Sequence, residues 1–364
     1  MKHKNIIFGV IFVLTLLLFI PITLSEDTTK GDLLSGFITS SYKSEGGFTD
    51  NPDETLPNIR STYQAIKTLS NLGKLNLINK NAIAIWINES QNSDGGFPNY
   101  ENGTSDMIST LYAVESLKIL GYIPKNNISE WIDQCYNDNL GFSMTPNSSS
   151  SILSTYSALK ALDLLNVSID LYNSSDWLVT LQNNESSENY GAFSSDGASY
   201  QLISTLYALK TLNLTNDINR INRTAVISWI ISCQNTNKND PKNYGSYKSN
   251  PLSGDFSVIN CYSAVNSLRI LNVSQINLIS ITNDWILACQ NLNTGGFSTS
   301  KDGKSSSIAS SYYGVSALKF IDGLSFVNSI VSTGIPFNFS ILWILLIIIG
   351  IAVIAYIYIK KKYY

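Results

Sequence analysis

Apolar and polar positions along this chain fall into three regimes. From Ile6 to Ile20 nearly every residue is apolar, behind a basic start of Lys2, His3 and Lys4 and ahead of Pro21 and the small residues Thr23 and Ser25. This layout predicts a signal peptide over residues 1–25, either cut after Ser25 or retained as an anchor. From Ile341 to Ile359 there are 19 residues without a charge, which at about 1.5 Å of rise per residue is one bilayer crossing. Trp343 near one end and Tyr356 and Tyr358 near the other suit the two interfaces, and Lys360, Lys361 and Lys362 follow at once. The pattern therefore predicts a transmembrane helix over 337–359 and a basic cytoplasmic tail over 360–364. A main domain over 26–322 and a stalk over 323–336 would lie outside the cell.

Between the two ends the pattern repeats. The first mark is an aromatic residue opening a one-faced helical stretch, usually with Gln-Asn five residues later: "WINESQN" at Trp86, "WLVTLQN" at Trp177, "WIISCQN" at Trp229 and "WILACQN" at Trp285. Trp131 opens a degenerate copy, and Phe37 stands in the first unit where the others have Trp. The second mark is a glycine-aromatic turn ending at Phe48, Phe97, Phe142, Phe193, Tyr247 or Phe297. The third opens a broadly apolar, nearly uncharged run: "STYQAIKTL" from Ser61, "STLYAVESL" from Ser109, "STYSALKAL" from Ser154, "STLYALKTL" from Ser204, "NCYSAVNSL" from Asn260 and "SSYYGVSAL" from Ser310. Successive copies of the third mark lie 48, 45, 50, 56 and 50 residues apart. Each unit reads as two helices, the Trp helix with one apolar stripe and the Ser-Thr-Tyr helix covered on most sides. Glycine at the turn supplies positive φ, and the following aromatic residue can plug the junction. Six such pairs could form an open solenoid or a closed ring. Closure is favoured because neither terminal unit has a polar capping face.

Composition narrows the chemistry. The chain's one histidine is His3, inside the signal segment, so the main domain has no imidazole for general-base work or metal ligation. Setting aside the five lysines of the two ends leaves 19 basic against 27 acidic residues, a formal net charge of −8, which excludes an electrostatic footprint for nucleic acid. Cys135, Cys233 and Cys289 each sit four residues after a Trp, on different outer helices, too far apart for an unstrained bridge. Buried thiols are the simpler expectation, with one disulfide to Cys261 as the alternative.

The repeated "QNxxxGGF" turn and the "STYYALKAL"-type helices resemble the repeat of the prenyltransferase β-subunit and squalene/hopene cyclase superfamily over residues 30 to 322. The resemblance implies an all-α fold, an (α/α)6 toroid of six helical hairpins with the Trp helices outside and the Ser-Thr-Tyr helices inside. It also implies active sites, which can be laid on this sequence. The zinc set of the protein prenyltransferases falls on Ile259, Cys261 and Ser310, so only the cysteine of the Asp, Cys and His ligands is present. Cys261 is then a degenerate metal position, and no metal or cofactor is expected. The protonating DxDD element of the class II cyclases is missing, and so is the GCGEQ thioester of the complement proteins. Asp106 is the nearest single acid and is carried as a binding candidate, with N-capping as its ordinary role.

The remaining candidates are Tyr63, Tyr112, Tyr156, Tyr207, Tyr262 and either Tyr312 or Tyr313, with Tyr313 preferred. They lie near the starts of the inner helices. If the ring closes, they are expected to rim one mouth of the central cavity beside unpaired helix amides and to bind a glycan, a peptide or a lipid head group; the alternative is packing among the inner helices. The functional expectation is a cell-surface toroid, tethered by its C-terminal helix, that binds a ligand or partner without catalysis. The alternatives are a prenyl or terpenoid enzyme or polysaccharide lyase with a relocated site, and a carrier resembling the cobalamin-binding toroids.

Overall fold

The computed structural model describes residues 28–273, 276–321 and 324–331, together with Tyr356, Lys360 and Lys361. By their contacts the residues form two units, Lys30–Ser329 and a unit of the chain ends, 1–29 with 330–364. In the latter, Thr29 and Ile330 form an antiparallel bridge. The expected signal peptide and, apart from Tyr356, the expected transmembrane segment lie outside the described residues. Among the described residues no helix is long and apolar enough to cross a membrane.

The unit Lys30–Ser329 is all-helical among its described residues, with isolated bridges in place of strands. Its twelve α-helices alternate between two layers. The outer ones are α1 (Lys30–Ser40), α3 (Lys80–Glu89), α5 (Ser129–Asp133), α7 (Ser174–Thr180), α9 (Arg223–Ser232) and α11 (Ile276–Leu287). The inner ones are α2 (Ile59–Asn71), α4 (Met107–Leu120), α6 (Ile152–Leu164), α8 (Leu202–Leu214), α10 (Val258–Ile270) and α12 (Ile308–Ile321). Each inner helix packs on the next, and α12 packs on α2, so the inner layer closes into a ring. This is the α/α toroid that the repeats predict.

Three recurring devices build it. Within each unit the turn aromatic is buried between the layers, and its backbone N–H donates to a side chain in the first turn of the inner helix. The pairs are Phe48 to Thr62, Phe97 to Thr110, Phe142 to Thr155, Phe193 to Thr205 and Phe297 to Ser311, at 2.9 to 3.2 Å. Between units, the first backbone N–H of each inner helix, which a helix cannot satisfy by itself, donates to the residue two places past the aromatic plug of the following unit. Ile59 reaches the Asn99 carbonyl, Met107 that of Met144, Leu202 that of Ser249 and Val258 that of Thr299, while Ile152 uses the Ser195 hydroxyl, all at 2.8 to 3.0 Å. The last such bond closes the ring: Ile308 donates to the Asp50 carbonyl at 2.8 Å. The Asp50 carboxylate also takes the Ala309 N–H at 2.8 Å.

The third device is the glutamine of the Trp helix. Gln91 donates to the Gly95 carbonyl of its own turn and to the Asn126 carbonyl ahead of the next outer helix, and accepts the Asn126 N–H. Gln182 does the same with Gly191 and Asn222. Gln290 spans the seam, donating to the carbonyls of Gly295 and Lys30. Trp86, Trp131 and Trp177 cover the turn glycines Gly47, Gly96 and Gly141 of the preceding unit, and Phe37 does this for Gly296. Phe37 in the first unit thus fills the Trp place, as the repeat implied.

The packed body runs past the expected start of the stalk at 323. Phe326 is buried against Phe297 with ring centroids 6.0 Å apart, and Val327 covers Gly31 on α1.

Closure of the ring can be tested at Gly295. It has φ +88°, and an added Cβ would stand 2.2 Å from the Leu33 carbonyl oxygen of the first unit. Gly295→Ala is expected to cost about 3 kcal/mol or more. Gly36→Ala, in open space on α1, should stabilise by about 0.5–1 kcal/mol. Denaturant melts of the two variants check this.

Candidate functional site

Six parallel helices packed about 9 Å apart in a ring leave a central hole a few ångströms in radius, which must be filled by large side chains or by a ligand. Both occur here, at different depths. One turn into the inner helices, tyrosines fill the hole. Tyr63 stacks on Tyr112 at 4.5 Å and touches Tyr312 at 5.7 Å, Tyr312 meets Tyr262 at 6.0 Å, and Tyr156 meets Tyr207 at 5.2 Å. Above this floor, toward the C-terminal ends of the inner helices, lies a cavity of about 590 Å³. Exposure rises along it from the buried tyrosines to Arg269, Lys319 and Phe320 in the last turns, which marks the mouth.

The second level of the lining comes from positions three or four residues after each tyrosine, one helical turn on. These are Lys67, Glu115, Lys160, Lys210, Asn266 and Ser316. The mouth adds Arg269 and Lys319. Five cations thus face one carboxylate in a protein that is otherwise acidic. Lys160 is neutralised by Asp163 at 2.7 Å. Lys319 donates to Asn71 Oδ1 at 2.9 Å, and Arg269 stacks on Phe320 at 4.2 Å.

Lys210 is the most constrained of them. Its Nζ lies 4.9 Å from the ring centroid of Tyr207, 5.2 Å from that of Tyr156 and 5.4 Å from that of Tyr262. It donates to the Tyr262 hydroxyl at 3.0 Å. Burial alone would lower its pKa, but the Tyr262 and Tyr156 hydroxyls and Glu115 outweigh it, so Lys210 titrates above the ordinary lysine value and stays a cation. Burial raises Tyr63, Tyr112, Tyr156, Tyr207 and Tyr312 in turn. Tyr156 is pushed up to about 12, with Lys210 opposing the shift, and Tyr63 rises well above the usual value through burial and through Glu115, to which it is hydrogen-bonded. The floor therefore presents neutral hydroxyls and one fixed cation.

Several sequence expectations change here. Tyr63, Tyr112, Tyr156, Tyr207 and Tyr262 do converge, but they form the floor of the cavity instead of the rim of a mouth. Tyr312, not Tyr313, is the sixth lining tyrosine; Tyr313 is one position on, against Tyr262 at 5.1 Å. The inner-helix amides near them are not free, because the next unit takes the first of each. Asp106 is outside the cavity lining and caps α4, accepting from the Ser109 N–H at 2.8 Å and the Ser109 hydroxyl at 2.6 Å. The lysines were visible within the quoted motifs, in "AIKTL" and "ALKTL", at helical spacing from each tyrosine.

A family model of the prenyltransferase alpha-alpha toroid domain matches residues 2–191 and 174–335. This chain belongs to the prenyltransferase alpha-alpha toroid family. Solved structures of the toroid agree on the fold. The type II terpene cyclase MstE from Scytonema is 10% identical over 80% of this chain and 96% of that one, with a TM-score of 0.58. A protein from Actinoplanes is 12% identical over 80% and 98%, with a TM-score of 0.56. An alpha-amylase from Clostridium perfringens is 13% identical over 82% and 99%, with a TM-score of 0.54. At such identities the likeness shows the fold alone. A search of curated proteins gives no match.

Within this toroid family member, Cys261 has a structural assignment. It occupies the place held by Thr62, Thr110, Thr155, Thr205 and Ser311 in the other units, and its sulfur takes the backbone N–H of the plug residue Tyr247. Burial pushes its thiol up to about 12. All four cysteines are free and buried, so the alternative of a bridge to Cys261 does not hold. Among the described residues no three of His, Cys, Asp and Glu come together as a metal site.

Two measurements check these assignments. Cys261→Ala leaves the Tyr247 N–H without its acceptor and should cost about 1–3 kcal/mol, while Cys261→Thr restores the acceptor of the other units and should recover most of it. Separately, no thiol should react with Ellman's reagent at pH 8 in the native protein, and four should react after denaturation.

Proposed function

We propose that this toroid is a non-catalytic binding module, held outside the cell by its C-terminal segment, whose central cavity takes a small ligand from outside. The observation that carries the reading is the cavity itself. At about 590 Å³ it is within the range of about 300–1,000 Å³ usual for small-molecule sites, and it has an aromatic floor and an excess of cations. The residues aligned with the family's zinc set support a role without that chemistry, since Ile259 and Ser310 cannot ligate zinc as a carboxylate and an imidazole do, and Cys261 is engaged in the fold. Nucleic acid is disfavoured as a partner by the main domain's formal net charge of −8.

Membership of the family favours a second reading, an enzyme of the prenyl or terpenoid class with a diverged site. The feature on its side is Glu115, the one carboxylate in the lining, hydrogen-bonded to Tyr63. A half-buried acid beside a neutral phenol could move a proton to or from a bound substrate.

The detergent-solubilised full chain is expected to retain one compound from a panel of glycans, peptides and lipids, to release it unchanged, and to lose at least tenfold in affinity with Tyr156→Ala. Turnover of the retained compound, or of geranylgeranyl diphosphate supplied with magnesium, would support the enzyme instead. Protease treatment of intact cells should remove the toroid and spare the basic tail; a protected toroid would reject the outside location.

A further inference from the structure

We infer that the ligand of the central cavity is an acidic saccharide, and that it enters carboxylate first, placing the anion on the floor where it accepts from both Lys210 and the hydroxyl of Tyr262. This rests on the reading of the cavity as a ligand site and names the chemistry of what fills it.

Three observations converge. Lys210 is fixed among three tyrosine rings, and among the described residues no carboxylate is within salt-bridge distance of it, Glu115 acting on it only from farther off; its one hydrogen bond is to a phenol. A cation held rigidly in a partly desolvated site, with its position set before any ligand arrives, favours an oxyanion over water. Secondly, the Tyr262 hydroxyl accepts from Lys210, so its own proton is free to be donated elsewhere and is polarised by the lysine. Lysine and phenol together offer one ionic and one neutral donor to the same anion.

Thirdly, the walls above this floor are polar. Ser157, Ser316 and Asn213 line the cavity, and Asn266, anchored by donating to the Tyr262 carbonyl at 2.8 Å, keeps its Oδ1 without a partner among the described residues. A hydrocarbon chain would give no partner to the Asn266 Oδ1 or to the remaining N–H donors of the Lys210 ammonium, which has one hydrogen bond, to Tyr262. A polyhydroxylated ring satisfies them, and tyrosine faces suit the apolar face of such a ring.

The test is calorimetric titration of the detergent-solubilised full chain with the methyl glycosides of glucuronate and galacturonate, each beside its neutral methyl ester. At least one acid should bind tenfold or more tightly than its ester. Lys210→Met should lower the affinity for the acid by ten- to hundredfold and leave the ester within twofold, and Lys210→Arg should keep most of the affinity for the acid. Melting temperatures of both variants separate loss of binding from loss of fold. Equal binding of acid and ester, or equal loss of both in Lys210→Met, overturns the anion subsite. Binding of farnesyl phosphate in place of either sugar, weakened by Tyr156→Ala, overturns the saccharide assignment and keeps the cavity as a ligand site. Failure of all these probes overturns both.

Discussion

The first backbone amide of an inner helix has no acceptor within its own unit, and the rest of the toroid depends on how that is met. Each unit lends an acceptor, two residues past its aromatic plug, to the inner helix of the unit before. The sixth helix takes it from Asp50 of the first. A unit standing alone would therefore leave a buried donor unsatisfied, at a cost comparable to a lost hydrogen bond. Satisfaction of all six requires the ends to meet. The turn glycines act in the same direction, since the seam glycine, Gly295, lets the turn lie directly on the Leu33 carbonyl of the first unit.

Once the ring closes, the cavity follows from geometry. Six inner helices leave a hole wider than ordinary side chains fill, and the tyrosines close it only at one level. What the next turn presents is free to vary without loss of the scaffold, because the scaffold's own bonds lie between the layers and at the helix starts. Here that turn carries Lys67, Lys160 and Lys210 against Glu115. The contrast between Cys261 and Tyr262 shows the division of labour at adjacent positions. Cys261 faces outward to hold the plug of its unit, and Tyr262 faces inward to meet Lys210.

Much of the fold was legible because its cause is local and repeated. Trp, Gln, the glycine turn and the Ser-Thr-Tyr helix recur in register, and the structure gives each a contact: ring on glycine, amide across two loops, hydroxyl on the plug. The site was legible only in part. The tyrosines were read correctly as converging, but their depth was not, because a position near a helix start does not say which end of a ring is open. The lysines were passed over as ordinary charges in apolar helices, since nothing local distinguishes a lysine facing solvent from one facing an enclosed centre. Asp106, carried as a binding candidate, follows its ordinary reading as an N-cap, its oxygens accepting from the Ser109 amide and hydroxyl.

The sequence by itself determined the helical pairs, their number and their order of layers, because periodicity and turn chemistry act between residues close in the chain. It also bounded the chemistry, since a domain without histidine, DxDD or the zinc triad lacks those residues however it folds. Tertiary structure alone decided that Asp50 and Ile308, 258 residues apart, share a hydrogen bond that closes the ring. It also decided that lysines from separate units share one cavity. Those relations are set by the packing angle summed over six units, a quantity that no single repeat contains.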